Sequence, residues 1–185
     1  DQTIRLWDLA TMAEKGVLRG HRQHVWRICF SADGRKLFSG ARDGTVYRWP
    51  VQAPAARIGF EAVQTDLSDL ALAPDATQFA GLRQGGVCLG ATRNGQLPHP
   101  IAALGTNNTS LLFSRDGQHL YAGTRAGEIQ VWSLSQEKTV QTLRGPAEAV
   151  LQLGQDALGR SLFAVQRADR LTREGPCRLQ VWSTA

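Results

Sequence analysis

This sequence predicts an all-β chain of repeated four-stranded antiparallel sheets, and three observations carry that prediction. Tryptophans recur along the chain: Trp7 and Trp49 stand 42 residues apart, Trp132 lies 83 beyond Trp49, and Trp182 follows 50 later. A tight-turn sequence recurs in phase with them, as Phe30-Ser31-Ala32-Asp33-Gly34, Leu72-Ala73-Pro74-Asp75-Ala76 and Phe113-Ser114-Arg115-Asp116-Gly117, with a blurred fourth copy from Gln155 to Gly159. The apolar runs between such turns are about 4–7 residues long, the length of strands rather than helices.

The sequences around the tryptophans agree with one another: TIRLWD, TVYRWP, EIQVWS and RLQVWS. The missing member falls at GVCLGA (86–91), where Gly90 takes the place of Trp. Asp-Gly is a hairpin signal, because Gly accepts positive φ and Asp bonds the nearby backbone. Asp43-Gly44, Asn94-Gly95 and Ala126-Gly127 mark further turns. In the second copy the strands read as Gly16–Arg19, Val25–Ser31, Lys36–Ser39 and Thr45–Trp49, with Trp26, Ile28 and Phe30 on one face of the second of them. Four short strands per period of about 42 residues is the pattern of a β-propeller blade.

Composition is consistent with this and excludes other classes. With 185 residues, 42% hydrophobic and 20% charged, the chain is neither disordered, collagenous nor a coiled coil. No apolar run approaches the ~18 residues of a membrane-spanning helix. The chain enters a strand-like TIRLW directly from Asp1, without a basic-then-apolar leader, so the sequence is expected to continue upstream. The net charge is +5, and 18 of the 21 basic residues are Arg. Arginine suits bidentate contacts with carboxylate and phosphate, although a GC-rich genome produces the same bias. Cys29, Cys88 and Cys177 are far apart and fit neither a disulfide framework nor a zinc spacing, so each is expected to be a buried, reduced thiol. A reducing, cytoplasmic location follows.

The second copy, LRGHRQHVWRICFSADGRKLFSGARDGTVYRWP, resembles a blade of the WD-repeat β-propeller family, with its Gly-His, its Phe-Ser-x-Asp-Gly, its Ser-Gly-x-x-Asp-Gly-Thr and its closing Trp. The resemblance is strongest over 16–50, good over 106–134 and weak over 55–91 and 145–182. In that family the strand opening each sequence repeat completes the outside of the preceding blade. The resemblance therefore implies a partial blade at 1–19, blades at 24–60, 67–104 (degenerate) and 108–143, and a last blade at 148–183 lacking its outer strand. Together these form one propeller segment, an incomplete arc of a larger ring. The alternative is a strained four-bladed ring, closed by the strand at 16–19 pairing with the last blade.

His21, Ser39 and Asp43 are the residue types of a hydrolytic triad. The resemblance assigns them otherwise. In WD-repeat blades these positions, with Trp49, form a buried structural hydrogen-bond network. The other copies lack it: the third has Gln84 and Gly90, the fourth Ala126 at the Asp position, the fifth Gly145-Pro146 in place of Gly-His. The third copy is expected to be the least stable. His21 and His24 stand three apart, but no further His, Cys or carboxylate completes a ligand set, and His99 and His119 are isolated. No metal, cofactor or catalytic residue is expected.

Arg42, Arg83, Arg125 and Arg167 are spaced 41, 42 and 42 apart, at the start of the turn between the third and fourth strands of each sequence repeat. The resemblance puts these turns on the face that carries the Gly-His turn, so the four guanidiniums would form an arc there. Arg170 and Arg173, in the insertion RADRLTREGP (167–176), and Arg22 would extend it. Solvated hairpin-tip arginines are the competing explanation.

The resemblance implies a non-enzymatic protein–protein interaction scaffold that displays loops on a rigid propeller face, within a larger regulatory or signalling protein. The alternative is recognition of phosphorylated or acidic ligands, as phosphopeptide or RNA backbone, by the arginine arc on the top face. Nucleic acid is disfavoured because Tyr47, Trp49 and Trp132 lie in strands and look structural rather than placed for stacking. Protein partners and the remaining blades of the parent propeller are the expected partners, and no membrane is.

Overall fold

A computed structural model describes residues 1–52, 58–60, 67–84, 86–92, 99–167 and 177–183. Among the described residues, seventeen strands form five antiparallel sheets in chain order. The first holds β1 (Thr3–Asp8) and β2 (Ala13–Arg19). The second holds β3 (Val25–Phe30), β4 (Lys36–Ala41), β5 (Val46–Pro50) and β6 (Ile58–Phe60). The third holds β7 (Leu67–Leu72), β8 (Gln78–Arg83), β9 (Gly86–Ala91) and the two-residue β10 (His99–Pro100). The fourth holds β11 (Asn108–Phe113), β12 (His119–Thr124), β13 (Glu128–Ser133) and β14 (Lys138–Arg144), and the fifth β15 (Ala149–Gln155), β16 (Ser161–Arg167) and β17 (Cys177–Ser183). Among the described residues the one helical element is a 3-10 turn at Ala102–Leu104, and no helix is long and apolar enough to cross a membrane.

The tight turns form for the reason the sequence suggests. Between β3 and β4, Asp33 Oδ1 accepts from the Ser31 hydroxyl and the Arg35 N–H, and Gly34 turns the chain at φ +65°. Between β11 and β12, Asp116 takes the same bonds from Ser114 and Gln118, with Gly117 at φ +70°. Those bonds, the serine hydroxyl's first, hold both carboxyls below the usual carboxylate range. In the third sheet Ala76 must adopt φ +55° where the other copies have glycine.

The first strands of successive sheets pack on one another, β3 on β7, β7 on β11 and β11 on β15. One register position joins them by polar contacts. Arg27 Nε donates to Asp69 Oδ1 at 2.6 Å, the Leu111 N–H donates to Asp69 Oδ2, and the Leu153 N–H donates to Ser110 Oγ. Between these strands lie continuous apolar layers, one of them around Leu82, Leu120 and Phe113, another around Phe38, Leu67 and Phe79.

The arc is open. Among the described residues β2 pairs with β1 and β17 with β16, so the strand at 16–19 does not close onto the last sheet. Trp26, Ile28 and Phe30 do share one face of β3, and that face is more than half exposed. Leu179 and Val181 are exposed at the other end. The thiols need one correction. All three are free and Cys88 is buried, but Cys29 is half-buried and Cys177 is exposed, because it opens β17, which has no described strand outside it. Burial, helped by the Asp69 charge, pushes the Cys29 thiol up to about 12, so it stays protonated.

Candidate binding face

His21, Ser39, Asp43 and Trp49 meet inside the second sheet. Trp49 Nε1 donates to Ser39 Oγ at 2.9 Å, and Ser39 Oγ lies 2.7 Å from His21 Nε2. On its other side His21 Nδ1 lies 2.9 Å from Thr45 Oγ1, whose hydroxyl donates to Asp43 Oδ1 at 2.6 Å. The indole is donor-only and the carboxylate acceptor-only, so the chain runs in one direction with a neutral, Nδ1-protonated imidazole. Asp43 stands 3.6 Å from His21 Nδ1, and Thr45 relays between them. The Asp43 oxygens also accept the N–H groups of Arg22 and Thr45. Burial works to raise the Asp43 carboxyl, but the bonds from Thr45 and Arg22 outweigh it and hold it below the usual range.

Ser39 is 0% exposed and its oxygen is engaged on both sides, which does not suit a nucleophile. Thr45 is the member that residue-type reasoning missed. Its signal was the third residue of Asp43-Gly44-Thr45.

The arginines divide. Arg42, Arg83 and Arg125 line one cavity of about 510 Å³ at the shared end of the inner strands, together with Trp26, Leu67 and Leu82. Among the described residues Arg22 and Arg167 are not part of its lining, and Arg170 and Arg173 lie outside the described residues.

The expectation that all four in-phase arginines hold the same position needs correction at Arg83. The strand pairs Leu37 with Trp49, Phe79 with Gly90, Leu120 with Trp132 and Leu162 with Trp182 are equivalent. Counted forward along β4, β8, β12 and β16 from the first member of each pair, Arg83 falls in register with Ala41, Thr124 and Gln166, while Arg42 is matched by Gln84. The cause is the hairpin, which is one residue shorter in the third sheet: five residues separate Gly40 from Val46, but four separate Leu82 from Val87. A one-residue shift turns a side chain to the opposite side of the strand. Arg83 thus takes a position whose equivalents are buried, and its Nε is buried without a hydrogen-bond partner among the described residues.

Asn108 lines the same cavity and is buried. Its Nδ2 donates to the Leu104 and Gly105 carbonyls, which fixes the orientation of the amide. Its Oδ1 has no hydrogen-bond partner among the described residues. No group of three His, Cys, Asp or Glu able to hold a metal occurs among the described residues.

The open meander of four-stranded sheets, with a His-Ser-Trp network in one of them, defines a WD-repeat propeller. The model of the WD domain, G-beta repeat, matches residues 13–50. The target of rapamycin complex subunit wat1 of Schizosaccharomyces pombe is 24% identical over 98% of the chain. The LST8 homologue of Drosophila melanogaster is 26% identical over 99% of it. The guanine nucleotide-binding protein subunit beta of Solanum tuberosum is 31% identical over 77% of it. The β-propeller domain of Cps50 (Swd1) from Myceliophteria thermophila superposes with a TM-score of 0.77 at 20% identity, over 95% of this chain and 64% of that one, and shows the fold. The chain belongs to the WD-repeat β-propeller family. It spans 58%, 59% and 41% of the lengths of the yeast, fly and potato relatives. WD-repeat propellers typically serve as protein-interaction scaffolds.

Proposed function

We propose that this chain is a non-enzymatic docking scaffold, a segment of a propeller within a larger cytoplasmic regulatory or signalling protein. In this reading protein partners bind the face where the hairpins end, with the sheets as rigid support. The observation that carries it is the convergence of Arg42, Arg83 and Arg125 on one cavity, beside an indole that is 55% exposed. Arg and Trp are the side chains that dominate binding energy in protein interfaces. The relatives support the same reading, since one is a subunit of the target of rapamycin complex and another a subunit of a guanine nucleotide-binding protein. The test is affinity capture from lysate, comparing the parent chain with a variant carrying Arg42, Arg83, Arg125 and Arg167 all changed to Glu, both shown by circular dichroism to be folded. Partners captured by the parent and lost from the variant are expected. Identical partner sets would remove this face as the docking surface.

A further inference from the structure

The inner strands are tied to one another by a repeated polar step. Ile28, Leu70, Leu111 and Leu153 share one register position, opposite Ser39, Gly81, Ala122 and Ala164. The residue before each of them forms a rung: Arg27, Asp69, Ser110 or Gln152. The Asp69 carboxylate accepts the Leu111 N–H at 2.8 Å, and the Ser110 hydroxyl accepts the Leu153 N–H at 3.2 Å. Each of these rungs caps a backbone donor of the next sheet that would otherwise be buried without a partner. Arg27 is itself a donor and cannot cap Leu70. Asp69 Oδ1 therefore accepts both the Arg27 Nε–H and the Leu70 N–H. Leu70, Leu111 and Leu153 lie under the preceding sheet, at 6%, 5% and 7% exposure, whereas Ile28 is 53% exposed.

We propose that the β3 face bearing Trp26, Ile28 and Phe30 receives the inner strand of a further propeller sheet, and that this strand carries an aspartate as its rung. The face continues an interface that the chain already makes three times, β3 on β7, β7 on β11 and β11 on β15. The aspartate accepts the Ile28 N–H, as Asp69 accepts that of Leu111. Between this face and β1 lies a cavity of about 310 Å³. Arg5 and Arg27 are in its lining, and no acidic side chain is. Arg5 pairs with Glu14 and Arg27 with Asp69, on the far side of each guanidinium from a newcomer. Two cations beside the rung position favour a carboxylate there over a hydroxyl, because bonds to an ionised acceptor are the stronger ones. An arginine rung would bring a third cation and no acceptor, and a leucine rung would leave the Ile28 N–H unmet. The apolar residues on either side of the aspartate cover Trp26 and Phe30. The inference rests on the reading of this chain as a segment of a larger propeller, and it names the residue by which the adjoining sheet is recognised.

The test extends the full chain ahead of Asp1 with a copy of its own residues 67–83, the β7–β8 hairpin with Asp69 as its rung. Trp7 aligns with Gly90, so Asp1 stands where Gln84 does and the copy runs into β1 in frame. A second extension carries Asp69→Leu in the copy. Two quantities are read: amide hydrogen exchange at Ile28 by NMR, with Leu111 as internal reference, and the emission of Trp26, isolated by difference with Trp26→Phe. Both extensions are expected to shift the Trp26 emission to the blue. Ile28 is expected to exchange at least about tenfold more slowly with the aspartate rung than with the leucine rung, the size of a charge-assisted bond. A copy of residues 108–125 with Ser110→Asp or Ser110→Leu serves if the first pair does not fold. Equal exchange at Ile28 in the two extensions, with Trp26 buried in both, overturns the aspartate rung and leaves the segment reading standing. Trp26 unshifted by every extension overturns both. Slow exchange at Ile28 in the unextended chain, together with a dimer in sedimentation, makes a second copy the occupant and also overturns the proposal.

Discussion

The second and third sheets solve the same packing problem with different chemistry. In the second, Leu37 stands opposite Trp49, and the indole is anchored through Ser39 and His21 to the hairpin that carries Asp43. In the third, the large ring has moved to the neighbouring strand. Phe79 stands opposite Gly90, and a Cβ on Gly90 would lie 2.5 Å from its ring. The serine position becomes Gly81, and in the fourth and fifth sheets it becomes Ala122 and Ala164. Where the indole donor or the histidine is missing, no hydroxyl is left to be stranded. The polar network also fixes the hairpin that carries Asp43. The third sheet, freed from it, has a hairpin one residue shorter, and that change turns Arg83 inward. The sheet that departs furthest from the family pattern therefore supplies the most distinctive residue of the arginine-lined cavity.

This contrast makes several predictions. The largest effect is expected from Phe79→Ala, which empties the ring site of the third sheet at a cost of about 3–5 kcal/mol in urea denaturation. Gly90→Trp alone is expected to be overpacked, and Phe79→Leu with Gly90→Trp to recover much of that loss; a non-recovering double variant breaks the equivalence of the two solutions. Next comes Ser39→Ala, which strands the Trp49 N–H and the His21 Nε2 at about 1–3 kcal/mol for each group. Ala76→Gly acts in the opposite direction. It relieves a left-handed alanine and is expected to stabilise the chain by about 1 kcal/mol. Hydrogen exchange is expected to show faster opening of β7–β9 than of β3–β5, in keeping with the third sheet being the weaker.

The smallest effect concerns pH. The Asp43 carboxyl is depressed in the folded chain, so folding favours its ionised form. Its contribution is full above the unfolded value of about 3.9 and is lost as pH falls through the folded one. The melting temperature is expected to fall below about pH 4, and Asp43→Asn to show a shallower decline, with Asp8, Asp33, Asp116 and Asp156, also depressed, contributing to what remains.

The repeat was legible in the sequence because it is written in backbone demands. Gly34, Gly117 and Gly159 each sit at positive φ, and the aspartates beside them bind the turn, so composition and spacing carry the geometry directly. The second-sheet network was legible too, through the resemblance of the second copy to a WD-repeat blade, whose positions His21, Ser39, Asp43 and Trp49 match. Thr45 stands in the Asp43-Gly44-Thr45 turn motif, but residue types alone do not say that the relay runs through a second hydroxyl. The arginine spacing held a clue that the residue types hid. On the strand that carries the arginine, Phe79 follows Leu37 by 42 residues, while Arg83 follows Arg42 by 41. Asn108 could not be singled out at all, since its unpaired oxygen depends on carbonyls at Leu104 and Gly105 that take its amide.

The central claim is that Arg83, alone among the in-phase arginines, takes a half-buried strand position at the cavity. It is tested most directly by comparing lysate capture by Arg83→Ala and by Arg167→Ala, both shown by circular dichroism to be folded. The account predicts that partners captured by the parent chain are lost from Arg83→Ala and kept by Arg167→Ala. Equal losses from the two would mean that a diffuse positive face, and not the turned-in side chain, does the binding.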